Sequence, residues 1–240
     1  MAREDFLKYA ASYSGIDGGD IDAEYWFMGM EWSDQSDIAG DYDFIHDKWR
    51  EITKIPKYIN IKENKNTWKL ENRLDILFHM LLPVSAGGRT IFEEDSNTLK
   101  LNLLPLPFLN TDEKRAWEKT KLQELTGFEN FEDYKNGVVE ARSKLFEKLL
   151  EKGEKQKTIF CFGSGYAKQI LKVLKISDKL CLEEEELPHR KEKVFYSSDL
   201  EKENPRIKRI IISPFPYIQY KPASDFDETD WQTICTLAKE

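Results

Sequence analysis

The residues with the clearest chemical potential lie at or inside a few apolar segments. Glu31 stands two residues after Gly29, near the end of the apolar segment 24–32. A carboxylate at the end of a buried strand can orient a water molecule or stabilise a developing positive charge. Asn102 lies within a second apolar segment, 99–108. Two interpretations of its amide stay open: a hydrogen-bonded core asparagine, or a group that recognises the edge of a nucleobase.

Two further apolar segments end in short turns. Segment 158–166 contains the turn Gly163-Ser164-Gly165, whose backbone N–H groups can approach a phosphate, although a simple tight turn has the same pattern. Segment 208–217 ends in Ser213-Pro214-Phe215-Pro216-Tyr217. Its prolines fix the shape of the loop, and an exposed aromatic ring there can wedge into stacked bases.

The elements that position these residues follow from the apolar periodicity. The four segments alternate with helical patterns, which predicts a single α/β domain over residues 1–240 with a central, mostly parallel four-stranded sheet flanked by helices. The carboxyl ends of parallel strands meet at one edge, so the four turns are expected to share one site. The first segment, up to about residue 19, is predicted to be a helix with a glycine-rich turn. Further helices are predicted over 68–82, from 111 or 112 to 125, from 130 or 132 to 153, over 165–174 and over 228–239, with a short edge strand at 193–197.

Composition limits the classes of protein to consider. The 240 residues are 40% hydrophobic, which is enough for a substantial core. The three cysteines are scattered and show no disulfide or metal-ligand spacing, so a reducing compartment is expected. The sequence lacks an apolar signal core and any apolar run of about 20 residues, the length that spans a bilayer. We therefore expect a soluble, cytoplasmic protein without a membrane partner.

Charge is segregated along the chain. The formal net charge is −8, which argues against indiscriminate binding of nucleic acid. Residues 16–47 contain ten acidic and no basic side chains, whereas residues 48–73 contain eight basic and three acidic ones. The basic stretch, which includes Lys54 and Lys57, is either a solvated face or a ridge that binds phosphates.

Taken in order, these segments resemble the motifs of the uracil-DNA glycosylase superfamily. Gly29 and Glu31 match the first motif, and Asn102 matches the asparagine that recognises the flipped base. The turn Gly163-Ser164-Gly165 matches a third strand end near the DNA backbone. The resemblance implies a base pocket and a DNA-binding surface. The implied pocket residues are Gly29, Met30, Trp32, Tyr42 and Phe44, and the implied DNA-binding residues are Gly163, Ser164, Gly165, Ser213, Phe215, Tyr217, Lys54 and Lys57.

The resemblance also implies a reaction, the hydrolysis of an N-glycosidic bond, with no metal, nucleotide or other cofactor. Glu31 would stabilise the sugar cation and Asn102 would hold the base. Two positions depart from the family pattern: Ser213 replaces the histidine of the last motif, and Glu31 stands where an aspartate or asparagine is usual. His46 or His189 could supply the missing hydrogen-bond donor.

Divergent first and last motifs and the long acidic, aromatic segment 33–49 favour one branch of the superfamily. Its members remove modified cytosines, such as glucosylated hydroxymethylcytosine, from phage DNA as a bacterial defence. DNA, in particular modified phage DNA, is the expected partner. The alternatives are a general base-excision repair glycosylase, a catalytically inactive DNA-binding or protein-interaction module on the same fold, and a small-molecule hydrolase.

Overall fold

A computed structural model describes residues 2–30, 51–57, 69–82, 96–106, 117, 122–198, 200, 202–216 and 225–239. Within these residues a seven-stranded sheet is packed between helices on both faces. The strands are β1 (Ile16–Gly19), β2 (Tyr25–Gly29), β3 (Thr98–Asn102), β4 (Lys157–Phe162), β5 (Glu183–Glu186), β6 (Lys193–Ser197) and β7 (Ile207–Ser213). The helices are α1 (Ala2–Ala10), α2 (Lys69–Leu81), α3 (Leu122–Thr126), α4 (Phe131–Lys152), α5 (Ala167–Val173) and α6 (Glu228–Lys239), and a 3-10 turn covers Ser164–Tyr166.

The strand order in the sheet is β1-β3-β2-β4-β7-β6-β5. The four central strands β3, β2, β4 and β7 are parallel, while β1, β6 and β5 pair antiparallel to their neighbours. β2 and β4 are neighbours in the sheet. After β2 the chain forms β3 on one side of this pair, and after β4 it forms β7 on the other side. The carboxyl ends of β2 and β4 therefore form a switch point of the kind at which open α/β sheets bind ligands.

The predicted α/β class is confirmed, but the predicted four-stranded sheet is wrong. Three strands extend the parallel core on its two sides, and two of them carry little strand signal. β1 has the sequence IDGG, which is half glycine, and β5 consists of four exposed glutamates without any apolar alternation. The segment predicted as an edge strand is β6, and β5 pairs outside it.

The central strands are apolar on both faces because each face is covered by helices. On β2, Trp26 and Met28 pack into the core cluster that includes α1 and α4. Phe27 points to the opposite face, where it stacks on Phe160 of β4 with ring centroids 5.1 Å apart, next to α2 and α6. Successive side chains of β2 thus alternate between the two faces, as expected for a strand that is buried on both sides.

The helix bounds follow local signals where these are strong. The side chain of Asn130 accepts a hydrogen bond from the backbone N–H of Asp133 at 2.9 Å and caps α4, as predicted. α6 has the predicted bounds. The first segment contains the predicted helix, which ends at Ala10, and a turn in which Gly15 has a φ of +66°. The strand β1 that follows was not predicted.

Candidate active site at the carboxyl edge of the sheet

The expected strand ends lie side by side in the sheet. Gly29 of β2 is paired in register with Asn102 of β3. On the other side, Phe162 of β4 is paired with Ser213 of β7. β2 and β4 are themselves hydrogen-bonded neighbours, so the four carboxyl ends form one continuous edge. The fold thus brings together segments that are separated by more than a hundred residues in the sequence.

Met30, Gly163 and Phe215 meet at the centre of this edge. A Cβ atom on Gly163 would lie 2.7 Å from Met30 Sδ and 3.4 Å from Phe215 Cε2. Gly163 has a φ of +124°, and its N–H donates to the carbonyl of Ser213 at 2.8 Å. Met30 is buried in the core cluster, and its carbonyl accepts from the N–H of Leu104 at 2.7 Å. Gly163 is therefore a close-packing glycine that holds three strand ends together.

The glycine turn presents fewer free N–H groups than its sequence predicts. Besides the bond from Gly163, the N–H of Tyr166 donates back to the carbonyl of Gly163 at 2.9 Å. Ser164 is half-buried and begins the 3-10 turn, and Gly165 is exposed with open space around its Cα. Only the Ser164–Gly165 part of the turn lies where a phosphate can approach.

Asn102 is the polar centre of the edge, and it is only 1% exposed. Its side-chain Nδ2 donates to both carboxylate oxygens of Asp17, at 3.1 and 3.2 Å. The same carboxylate forms a 2.6 Å ion pair with Lys100 Nζ, and the Lys100 side chain is 5% exposed. The amide thus has a largely buried, charged partner on β1.

The backbone of Asn102 is held as firmly as its side chain. Its N–H donates to the carbonyl of Gly15 at 2.8 Å, and its carbonyl accepts from Arg142 Nη2. The guanidinium of Arg142 is fully buried and also donates to the carbonyls of Ala10 and Ser14. Burial lowers the pKa of Arg142 to about 10, so the guanidinium keeps its charge at neutral pH.

The loop after β7 is anchored from outside the sheet edge. Ser213 is buried, and its hydroxyl donates to the carbonyl of Pro214 at 2.9 Å. Arg190 Nη1 donates to the carbonyl of Phe215 at 2.7 Å. Phe215 is partly buried and touches both core clusters. Its ring is therefore packed at the edge of the site.

His189, one of the two histidines expected to replace the missing donor, lies beside Arg190 before β6. Its exposed imidazole is 3.6 Å from the Asp227 carboxylate, and its backbone N–H donates to Asp230 at 2.9 Å. Hydrogen bonds from Thr229 and Asp230, together with the nearby imidazole, lower the pKa of Asp227. His189 is thus engaged with the start of α6.

Lys54 and Lys57 are exposed in a segment, 51–57, that runs beside β1. The N–H of Gly19 donates to the carbonyl of Pro56 at 3.0 Å, and the N–H of Tyr13 donates to the carbonyl of Ile52 at 3.1 Å. These lysines lie at the β1 side of the sheet, opposite the acidic strand β5. The other expected site residues, together with the alternative donor His46, lie outside the described residues: Glu31, Trp32, Tyr42, Phe44 and Tyr217.

Sequence reasoning missed the charged residues that surround Asn102 and Phe215, namely Asp17, Lys100, Arg142 and Arg190. Lys100 carried a usable signal, since a lysine in the middle of the apolar run LKLNLL, two residues before Asn102, must lie on the same face of the strand. A buried lysine is stabilised by an acidic partner. The partner itself lies 85 residues away from Asn102 in the sequence.

Comparisons with protein-family models, with curated proteins and with solved structures find no match to this chain. Among the described residues, no group of three or more His, Cys, Asp or Glu side chains is arranged to hold a metal ion. Nor does any helix within the described ranges have the length and apolarity to cross a membrane.

Proposed function

We propose that this protein is a DNA glycosylase that hydrolyses the N-glycosidic bond of a flipped, modified pyrimidine. The observation that supports this most is the pairing of Gly29 with Asn102 at the switch point of the sheet. This pairing puts the start of the segment that carries Glu31 next to the amide that would hold the base. Such an edge is the usual position of a ligand site in an open α/β sheet.

The chemistry assigns different tasks to the two groups. Cleavage of the bond develops positive charge on the sugar and negative charge on the departing base. The Glu31 carboxylate stabilises the sugar cation or orients the attacking water. Asn102 holds the base edge through its amide, and an amide suits a cytosine-type edge because it accepts from the exocyclic amine and donates to the ring nitrogen.

The charge distribution supports one direction of approach for DNA. Lys54 and Lys57 lie at the β1 side of the sheet, whereas the four exposed glutamates of β5 (Glu183–Glu186) lie at the opposite side. Exposed lysines attract a polyanion, whereas exposed glutamates repel it. We place the DNA backbone over the β1 side, with Ser164, Gly165 and Phe215 on the far rim of the pocket and the buried Ser213 behind them.

The candidate substrate is glucosylated hydroxymethylcytosine in phage DNA. The acidic segment 33–49 would supply acceptors for sugar hydroxyls, and its length suits a pocket larger than an unmodified base needs. Excision of such bases would act as an anti-phage defence. A general repair role would instead require activity on deaminated or damaged bases in ordinary DNA.

A direct test incubates the protein with matched DNAs that contain cytosine, hydroxymethylcytosine, its glucosylated form or uracil, and measures alkali-labile abasic sites. We expect cleavage of the glucosylated DNA in single-turnover conditions and no cleavage with Glu31→Gln. Cleavage of uracil DNA only would favour the repair function. An absence of abasic sites in all four DNAs would overturn the proposal.

A second candidate, a non-catalytic DNA-binding or protein-interaction module, is favoured by the burial of Asn102 and by the hydrogen bonds that its amide already donates to Asp17. A core amide needs no base to satisfy it. Binding of DNA without base release, unchanged by Glu31→Gln, would support this function instead.

A further inference from the structure

Asp17 occupies an irregular position of β1. Ile16 pairs with Leu101 and Gly18 pairs with Lys100, so Asp17 is the extra residue of a β-bulge. A bulge redirects a side chain, and bulges occur often next to active sites. Here the bulged residue contacts Lys100 and Asn102 of β3 through one carboxylate. Lys100 and Asn102 are two positions apart on β3, so their side chains lie on the same face of the sheet.

The Asp17 carboxylate fixes which end of the Asn102 amide faces it. A carboxylate at neutral pH accepts hydrogen bonds and donates none, so only the Nδ2 end of the amide can turn toward it. Both Asp17 oxygens lie within 3.2 Å of Nδ2. The carbonyl oxygen Oδ1 must then point away from β1. The positive charge of Lys100 stabilises this largely buried carboxylate.

The backbone of Asn102 is also held by hydrogen bonds. Gly15 accepts its N–H, and Arg142 donates to its carbonyl. These contacts hold the backbone in place, and Asp17 opposes rotation of the side-chain amide. Asn102 is therefore held with a defined order of donor and acceptor.

We propose that Asp17, backed by Lys100, is the positioning residue that sets base selectivity, an inference that rests on the glycosylase function proposed above. Cytosine-type and uracil-type bases present opposite patterns, because an exocyclic amine and a ring acceptor replace a carbonyl and a ring N–H. An amide of fixed orientation is complementary to one pattern, whereas an amide free to flip fits both. In a pocket where the exocyclic group of the base faces Oδ1, the amide that Asp17 fixes thus favours the amine-bearing base over its deaminated counterpart.

The test compares the parent with Asp17→Asn/Lys100→Met, which removes both charges of this ion pair together. The measurement is the ratio of single-turnover excision rates on the amine-bearing and carbonyl-bearing forms of the same base. We expect the ratio to fall by about tenfold or more, in line with the discrimination that one bidentate pair provides. Glu147→Gln/Lys175→Met removes an exposed ion pair elsewhere and serves as the matched control, with an unchanged ratio expected.

A folded double variant that slows excision of both bases equally would overturn the positioning role and leave the glycosylase function intact. A parent that excises neither base would overturn the glycosylase function, and with it the role in selectivity. The hydrogen bond itself is tested independently by the side-chain amide signals of Asn102 in nitrogen–proton NMR spectra, assigned by comparison with Asn102→Gln. Slow solvent exchange in the parent that becomes at least tenfold faster in the double variant supports the hydrogen bond, and equal exchange rates contradict it.

Discussion

Gly163 lies so close to Met30 that a Cβ atom on the glycine would come within 2.7 Å of the methionine sulfur and 2.8 Å of its Cγ. The close approach joins the carboxyl ends of β2 and β4, where the switch point of the sheet lies. It depends on the absence of a side chain and on a φ of +124°, a backbone conformation that other residues rarely adopt.

Gly163→Ala is therefore expected to destabilise the protein. Backbone strain of this kind costs about 1–3 kcal/mol, and displacement of Met30 adds to it. Gly165→Ala is the matched control, because open space surrounds that position and its φ is not positive. Thermal or urea unfolding of both variants measures the difference. Equal stability of the two would contradict the packing role of Gly163.

Glu31→Gln tests the carboxylate that the sequence places after Gly29. Under the proposed mechanism the variant loses charge stabilisation of the sugar cation, so single-turnover base release should fall by roughly two orders of magnitude or more. DNA binding should stay close to that of the parent. Glu147→Gln, on the far end of α4, is the control for a general effect of removing a carboxylate. Release at the parent rate would exclude Glu31 from the chemistry.

The parallel core was predictable because its strands are apolar on both faces. Trp26, Phe27 and Met28 form an unbroken buried run, which is typical of a strand covered by two helix layers. β5 was not predictable, because Glu183–Glu186 has neither apolar alternation nor β-branched residues, and its place is set by pairing with β6. Tertiary contacts decided its conformation.

The candidate site was predictable only in part. Asn102 and Gly163 follow from the strand-end pattern, and the fold brings both to one edge. The network around Asn102 depends on β1, a short glycine-containing strand that pairs antiparallel with β3 at the side of the sheet. Local sequence does not encode which distant strand supplies the partner of a buried lysine. The role of Asp17 therefore emerges only from the strand order.

Lys54 and Lys57 provide a test of the basic segment beside β1. If they contact phosphates, Lys54→Gln/Lys57→Gln should weaken binding to every DNA sequence and reduce the salt dependence by about one unit of slope for each phosphate that is no longer neutralised. Replacing Lys62 and Lys65 by glutamine as well should reduce the salt dependence further. Lys148→Gln/Lys155→Gln removes two exposed lysines near the amino edge of the sheet and should leave the slope unchanged. A parental slope in the first variant would identify these lysines as solvated charges.

The three cysteines give a test that does not depend on function. Cys181 is exposed, whereas Cys161 and Cys235 are buried, and burial raises the pKa of the Cys161 thiol. A thiol reagent acts on the thiolate, so the native protein should react rapidly at one cysteine and the unfolded protein at all three. Rapid reaction of all three in the native state would contradict the described core.

Asn102 can be tested by exchanging the side chains of Asp17 and Asn102 between β1 and β3. Asn102→Asp places a second carboxylate against Asp17, in a site with one lysine, so the single variant should be destabilised by about 3–5 kcal/mol whether or not Asn102 recognises a base. The swap Asp17→Asn/Asn102→Asp keeps the charge count and one amide–carboxylate pair, with the donor now on β1. It should regain most of the stability that the single variant lacks, which thermal melting measures.

The swap then separates the two interpretations of Asn102. A carboxylate at position 102 has no donor for the ring nitrogen of a cytosine-type base, so a base-recognising residue would lose excision of that base by about 5- to 150-fold in the folded swap variant, the range expected for one bidentate pair. A core amide has no such task, and the folded swap variant would then release the base at the parental rate. Melting and base release, measured on the single variant and the swap together, therefore decide whether the carboxyl edge of this sheet is a pocket for a flipped base.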